Sequence, residues 1–258
     1  MAAKAKKTPR PAPLSYRRRD YRRQVSAGNL AAFSVQVRET DLQILACRDL
    51  TAEASAAVLR CRCQIEGYLA GHPAFLPALT PLPDDPLAPP IVREMLRAAL
   101  LAGVGPMAAV AGAVAEAVGR VLLACDGVRE ASVENGGDIF LARREECVVA
   151  IFAGASPLSS RVGLRISPGR MPLGICTSSG TVGHSLSFGT ADAVTVLAAS
   201  TALADAAATR IGNEVRSVRD LDRALAVGRG IAGVEGLVVI KDDQLGAWGE
   251  VELVRLDR

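Results

Sequence analysis

The stretch Ser132–Leu141, SVENGGDIFL, decides how this chain is read. Residues that favour strands lie on both sides of a polar break at Asn135-Gly136-Gly137-Asp138. The run therefore reads as two strands with something built between them. A plain hairpin is satisfied by a pair such as Asn-Gly. The extra glycine and the carboxylate leave two readings open. In one, the glycines let backbone N–H groups approach a ligand whose polar edge meets Asn135 and Asp138. In the other, they form a bulge and Asp138 is a turn residue.

Working outward, the neighbouring segments supply both strands and helices. Upstream, FSVQVRETDLQILA (33–46) alternates as a hairpin around Glu39-Thr40-Asp41. Thr51 can cap a helix that ends near Gly71-His72-Pro73. Residues 73–90 carry seven of the fourteen prolines and read as an extended segment that wraps the body. Two helices follow, over 90–103 and 107–124, with Pro106 suited to the first turn of the second. Downstream, strands are expected near 147–153, 161–167 and 172–177, and again in DAVTVLA (192–198). STALADAAATRIG (200–212) reads as a helix with Ser200 as its cap, and a short helix lies near 217–227. The last stretch, 236–256, alternates as a hairpin turning at Asp242-Asp243-Gln244. Strands and helices come in blocks rather than in strict alternation, so the class is α+β, as one domain over 24–258.

Charge separates an arm from this body. Residues 1–23 hold nine Lys or Arg and one Asp, whereas the rest holds 21 basic and 26 acidic residues. The arm reads as a flexible, solvated segment with weak affinity for polyanions. Without a helix-turn-helix, zinc-finger or RNP pattern, nucleic acid is not the expected partner. The N-terminus lacks the apolar core of a secretory signal, and the six cysteines show no paired knuckles, so a cytoplasmic protein with reduced thiols is expected. The most apolar run, 98–125, is broken by Gly103, Gly105-Pro106 and Gly112. It reads as closely packed helices rather than a membrane span, with enough apolar face to suggest a homodimer.

Two further stretches could carry chemistry. In Thr177-Ser178-Ser179-Gly180-Thr181-Val182-Gly183-His184-Ser185, small hydroxyls and glycines in series can donate hydrogen bonds to phosphate oxygens. No Gly-Lys-Ser/Thr follows, so this is not a Walker loop. His184, one of only two histidines, stands beside those hydroxyls, where it could transfer a proton. The plainer reading is a surface loop with an ordinary histidine. Asp205 and Thr209 lie four apart on one helix face, and a carboxylate with a hydroxyl offers two oxygens to a hard cation such as Mg²⁺. The plainer reading there is an exposed Asp and a Thr bonded to its own helix.

Taken in order, these stretches resemble the flavin transferases of the ApbE type. VAGAVAE (110–116), VENGGDI (133–139), TSSGTVGHS (177–185), VTV (194–196) and ADAAAT (204–209) stand where that family has AKGYAVD, VNxGGDI, a TSG loop with a His, VTV and ADALAT. ETDL (39–42), VGPMAAVAG (104–112) and VENGGDI are similar to an uncharacterised bacterial and archaeal branch of that superfamily. The resemblance implies a tunnelling-fold-like α+β architecture with antiparallel sheets, FAD as cofactor, Mg²⁺, and transfer of FMN to a protein threonine. It implies Asp205, Thr209 and a carbonyl near Val110 as metal ligands. Flavin contacts would fall on Asn135, Gly136, Gly137 and Asp138, and on the loop Thr177, Ser178, Ser179 and Gly180; His184 would be the reactive group. Two departures stand out. Ala111 replaces the family lysine, and HSLSFGTAD (184–192) replaces the DPxTG that follows the family histidine. Three functions remain open: Mg²⁺-dependent FMN transfer or FAD pyrophosphate cleavage, binding of a flavin, nucleotide or other phosphorylated metabolite without turnover, and another reaction in the same cleft.

Overall fold

A computed structural model describes residues 29–181 and 187–256; the basic arm 1–23 and His184 lie outside the described residues. Strands β1 (Ala31–Val37) and β2 (Thr40–Ala46) form the expected hairpin, turning at Arg38, which sits at φ 52°. Helix α1 (Thr51–Gly71) follows, but Thr51 is not its cap. Leu50 holds the cap position, and Asp49 before it accepts from both the amide (2.8 Å) and the hydroxyl (2.6 Å) of Thr51. The proline-rich segment wraps onto the body as expected, pinned by buried Phe75 and by Asp85, which accepts from the Tyr68 hydroxyl at 2.9 Å. Then come α2 (Pro90–Ala102), a 3-10 turn at Pro106–Ala109 and α3 (Val110–Leu123).

The remaining strands are β3 (Ala131–Asn135), β4 (Asp138–Ala142), β5 (Cys147–Ala150), β6 (Val162–Ile166), β7 (Leu173–Ser178), β8 (Ala193–Ala198), β9 (Val234–Lys241), β10 (Gln244–Gly249) and β11 (Leu253–Arg255). Between β8 and β9 lie α4 (Thr201–Gly212) and α5 (Leu221–Arg229). Eight strands form one antiparallel sheet in the order β1-β2-β3-β4-β7-β8-β9-β10, and β11-β6-β5 form a second. The chain's end departs from a single hairpin. After the Asp242-Asp243 turn, β10 stops at Gly249, which sits at φ 83°, and β11 crosses to pair with β6.

Strand alternation sorts the side chains into three layers. One face of the large sheet presents Leu42, Ile44, Phe140, Cys176 and Val196 to the helices. The other presents Leu141, Ile175, Leu197 and Val238 to Ile151, Leu164 and Ile166 of the small-sheet layer. Pro106–Leu123 is apolar and long enough, by length and composition, to cross a membrane, yet half of it is buried in this fold. Its apolar face packs on α4, β3 and β4.

The approach of α3 to α4 depends on a missing side chain. A Cβ on Gly112 would lie 2.3 Å from the Thr201 carbonyl oxygen and 2.8 Å from Cβ of Asp205. Backbone cannot move aside as a flexible side chain would. Gly112→Ala should therefore destabilise the fold by about 1–3 kcal/mol in urea unfolding. Gly67 of α1 has nothing within 4 Å of a built Cβ. Gly67→Ala should stabilise by about 0.5–1 kcal/mol, through helix propensity alone. Equal effects of the two substitutions would contradict this packing.

Candidate functional site

The polar break in SVENGGDIFL is a two-residue hairpin loop. Asn135 pairs with Asp138, and Gly136 and Gly137 connect them at φ 71° and 116°. A primed turn of this kind requires positive φ at its central residues, which explains both glycines. The Gly137 amide donates to Glu134 Oε1 at 2.9 Å, and the Gly137 carbonyl accepts from the Thr177 amide at 3.2 Å. Asn135 reaches the start of α3, where its Nδ2 donates to the Ala111 carbonyl at 3.1 Å.

Beside this turn, three polar side chains meet under the helices. Asp138 on β4 pairs in register with Cys176 on β7, so both point to the helix face. Asp205 projects toward them from α4. Its Oδ2 accepts the Gly112 amide at 2.9 Å, and the Ala111 amide also bonds it. The Cys176 thiol lies 3.3 Å from the Thr201 carbonyl, to which it can donate, and it also bonds Asp138. Glu116 of α3 accepts the Thr201 amide at 2.8 Å and is paired with Arg120.

The electrostatics of this group are unusual. Burial lifts Asp205 to about 7, against the pull of the Gly112 and Ala111 amides. Burial, then the charge of Asp205, lifts Asp138 well above the usual carboxylate range, with Glu134 adding to the rise and Cys176 opposing it. Burial, and then the two carboxylates, push the Cys176 thiol up. None of the groups that shift either aspartate is a cation. Asp138 is buried and Asp205 half-buried, and two such neighbouring carboxylates without a counter-cation are relieved by keeping a proton or by taking up a cation.

Among the described residues there is no cluster of three or more His, Cys, Asp or Glu arranged to hold a metal. A cation at this place would rest on the two carboxylates and fill its shell with neutral oxygens. That suits Mg²⁺, which takes one or two carboxylates and keeps water or phosphate oxygens. Thr209, half-buried, lies one turn beyond Asp205 on the same face of α4. Val110 opens α3, with its carbonyl in the helix's own hydrogen-bond ladder.

The hydroxyl-rich loop divides between two places. Thr177 faces the small-sheet side, where its hydroxyl meets that of Thr195 at 2.9 Å. Ser178 faces the helices, with its Oγ 3.9 Å from a Cβ built on Gly212. Ser179 accepts the Thr181 amide at 3.1 Å, and the Gly180 amide donates to the Ala191 carbonyl at 2.9 Å. The structure thus gathers Asn135, Asp138 and Asp205 around the start of α3 and turns the Thr177 hydroxyl away. Cys176 and Glu116 join the group without having been singled out from the sequence. Strand alternation from Asp138 and its partner strand is the signal that could have found Cys176.

Residues 22–233 match a family model described as AbpE bacteria. A UPF0280 protein of Methanocaldococcus jannaschii is 41% identical over 213 residues, covering 80% of this chain and 85% of the relative. Another, from Methanococcus aeolicus, is 39% identical over 209 residues, covering 79% and 84%. Among solved structures, the flavin transferase ApbE from Vibrio cholerae aligns with a TM-score of 0.53 at 14% identity, covering 85% of this chain and 96% of that one. The apo flavinyl transferase ApbE from Pseudomonas stutzeri aligns at 0.52 and 16% identity, covering 85% and 94%. At such identity the likeness establishes the fold, an ApbE-like α+β architecture of antiparallel sheets packed with helices.

The raised carboxyls make stability depend on pH. Asp205 goes from an ordinary 3.8 to about 7 on folding, so between those values the folded state holds a proton that the unfolded chain has released. Its contribution is full below the unfolded value and is lost as pH rises through about 7. In chelator-treated protein, unfolding free energy should fall by a few kcal/mol across that window. Asp205→Asn should make the profile shallower, the slope that remains belonging to Asp138; a variant with the same slope as the parent would contradict the assignment.

Proposed function

The chain belongs to the AbpE bacteria family, and from that premise we propose that it binds FAD together with Mg²⁺ and cleaves or transfers across the flavin's pyrophosphate. The observation that carries this reading is the neighbouring Asp138–Asp205 pair, in which Asp138 is buried on β4, Asp205 accepts the Gly112 amide, and no cation shifts either group. The similar solved structures are flavin transferases, which favours a flavin nucleotide over other phosphorylated ligands.

In this reading Asp138 and Asp205 would hold the cation, and Thr209 and the Val110 carbonyl would offer it neutral oxygens. When bound, Mg²⁺ neutralises charge on the pyrophosphate oxygens. Asn135, its amide nitrogen tied to Ala111, turns its side-chain oxygen to the ligand, and the Gly136-Gly137 turn lets the ligand pass close to backbone. Ser178 and Ser179 supply hydroxyl donors for phosphate oxygens, and Gly180, its amide held by the Ala191 carbonyl, fixes the backbone of the loop that carries them. His184 is the proposed base for an attacking hydroxyl or water.

A second reading is binding without turnover. It draws support from Ala111, whose methyl group stands where the resembling family carries a lysine.

Calorimetric titration with FAD, with and without Mg²⁺, tests the proposal. Binding should require the metal and weaken at least about tenfold in Asp205→Ala, the loss expected when a charge-assisted contact is removed. FMN appearing in the presence of Mg²⁺ would select turnover over binding alone. No FAD binding under either condition would overturn the flavin reading.

A further inference from the structure

A second buried carboxylate lies outside the carboxylate pair and has no part in the proposed chemistry. Asp192, just before β8, is only 7% exposed. It joins three segments that are distant in sequence. Its Oδ1 accepts from the Thr181 hydroxyl at 3.3 Å, and its Oδ2 accepts the Asp242 amide at 2.6 Å. The Lys241 ammonium lies 3.8 Å away, giving the charge a partner. The carbonyl of Asp242 is fixed in turn by the Ser156 hydroxyl at 2.6 Å.

Through Thr181 this anchor reaches the hydroxyl loop. The Thr181 hydroxyl also meets that of Ser179 at 3.2 Å, and the Thr181 amide bonds the Ser179 oxygen. On its other side, the chain leading to Asp192 is clamped to the end of α4. The Thr190 amide donates to the Val215 carbonyl at 2.7 Å, and the Phe188 amide donates to Asn213 Oδ1 at 2.9 Å. A Cβ on Gly189 would lie 1.8 Å from the Gly212 carbonyl oxygen, and one on Gly180 would lie 2.3 Å from the Gly189 oxygen. Thus the loop, the strip 187–192 and the helix bearing Asp205 and Thr209 stack backbone on backbone.

We infer that Asp192 is a positioning residue: through Thr181 it sets Ser179 and Gly180 at a fixed height over the end of α4. For what that loop receives, the inference rests on the flavin reading; the latch itself does not. A free Ser/Gly loop would have to be ordered by its ligand, and each immobilised segment weakens binding. A loop ordered in advance avoids that cost. Asp192 never touches the ligand in this account and acts only through Thr181.

Two readouts on the same variants test it. Residue-resolved amide hydrogen exchange on the full chain should show the Gly180 amide exchanging about tenfold faster in Thr181→Val and in Asp192→Ala, the effect of removing one hydrogen bond. Amides of β8 and α4 should hold their rates, and Thr181→Ser should behave as the parent. Thr181 is exposed, so Thr181→Val keeps the test open if Asp192→Ala fails to fold. In calorimetry with FAD and Mg²⁺, both substitutions should weaken binding by a similar factor, and the double variant should weaken it no further, as for two members of one chain of contacts. Unchanged Gly180 exchange in Thr181→Val would overturn the latch. Altered exchange with unchanged FAD affinity would overturn its positioning role. If the parent binds no FAD, the flavin reading fails, while the exchange data still decide the latch.

Discussion

Helix α3 begins with no side chain of its own to cap its amides, because Ala109 occupies the cap position. Such amides need partners when buried. Asp205, one turn into α4, supplies a carboxylate to them. Glu116, two turns into α3, returns the interaction by accepting the first amide of α4. The two helices therefore cap each other across the Gly112 contact, and this reciprocal arrangement fixes where Asp205 stands. It also brings the positive ends of both helix dipoles toward one spot, which favours negative charge there.

A carboxylate held in this way has two opposing pulls. The amides of α3 stabilise its charge, and burial beside Asp138 opposes it, with burial the larger effect. Without a metal the pair relaxes by keeping a proton. A divalent cation would relieve the same repulsion with both carboxylates ionised, so one residue could serve as structural cap and as metal ligand. Cys176 borders the same place, its thiol bonding Asp138.

Local chemistry was legible in the sequence where a short pattern dictates backbone shape. Asn135-Gly136-Gly137-Asp138 announced a special turn, though the structure makes it a tight hairpin in which the Gly137 amide is already bonded. Ser200 caps α4 as read, accepting the Leu203 amide. The helical spacing of Asp205 and Thr209 holds as well. What could not be read depends on elements that meet only in the folded chain. Glu116 looks like an ordinary helix-face acid paired with Arg120 until Thr201 arrives above it. Cys176 looks like a core thiol until β4 registers beside β7. Thr177 looked like a neighbour of Ser178, yet successive strand residues face opposite sides, and its hydroxyl belongs to the other layer. At the chain's end, the period-two pattern ran through Gly249 and concealed that β11 changes sheets.

The most direct test is to follow the side-chain carboxyl carbons of Asp138 and Asp205 by carbon-13 NMR through a pH titration, first without metal and then with Mg²⁺. The account predicts that without metal at least one of the pair stays protonated well above the ordinary range near 3.8, with Asp205 titrating at about 7. With Mg²⁺ both should ionise at much lower pH. Two carboxyls titrating at ordinary values, indifferent to Mg²⁺, would contradict a buried pair that waits for a cation.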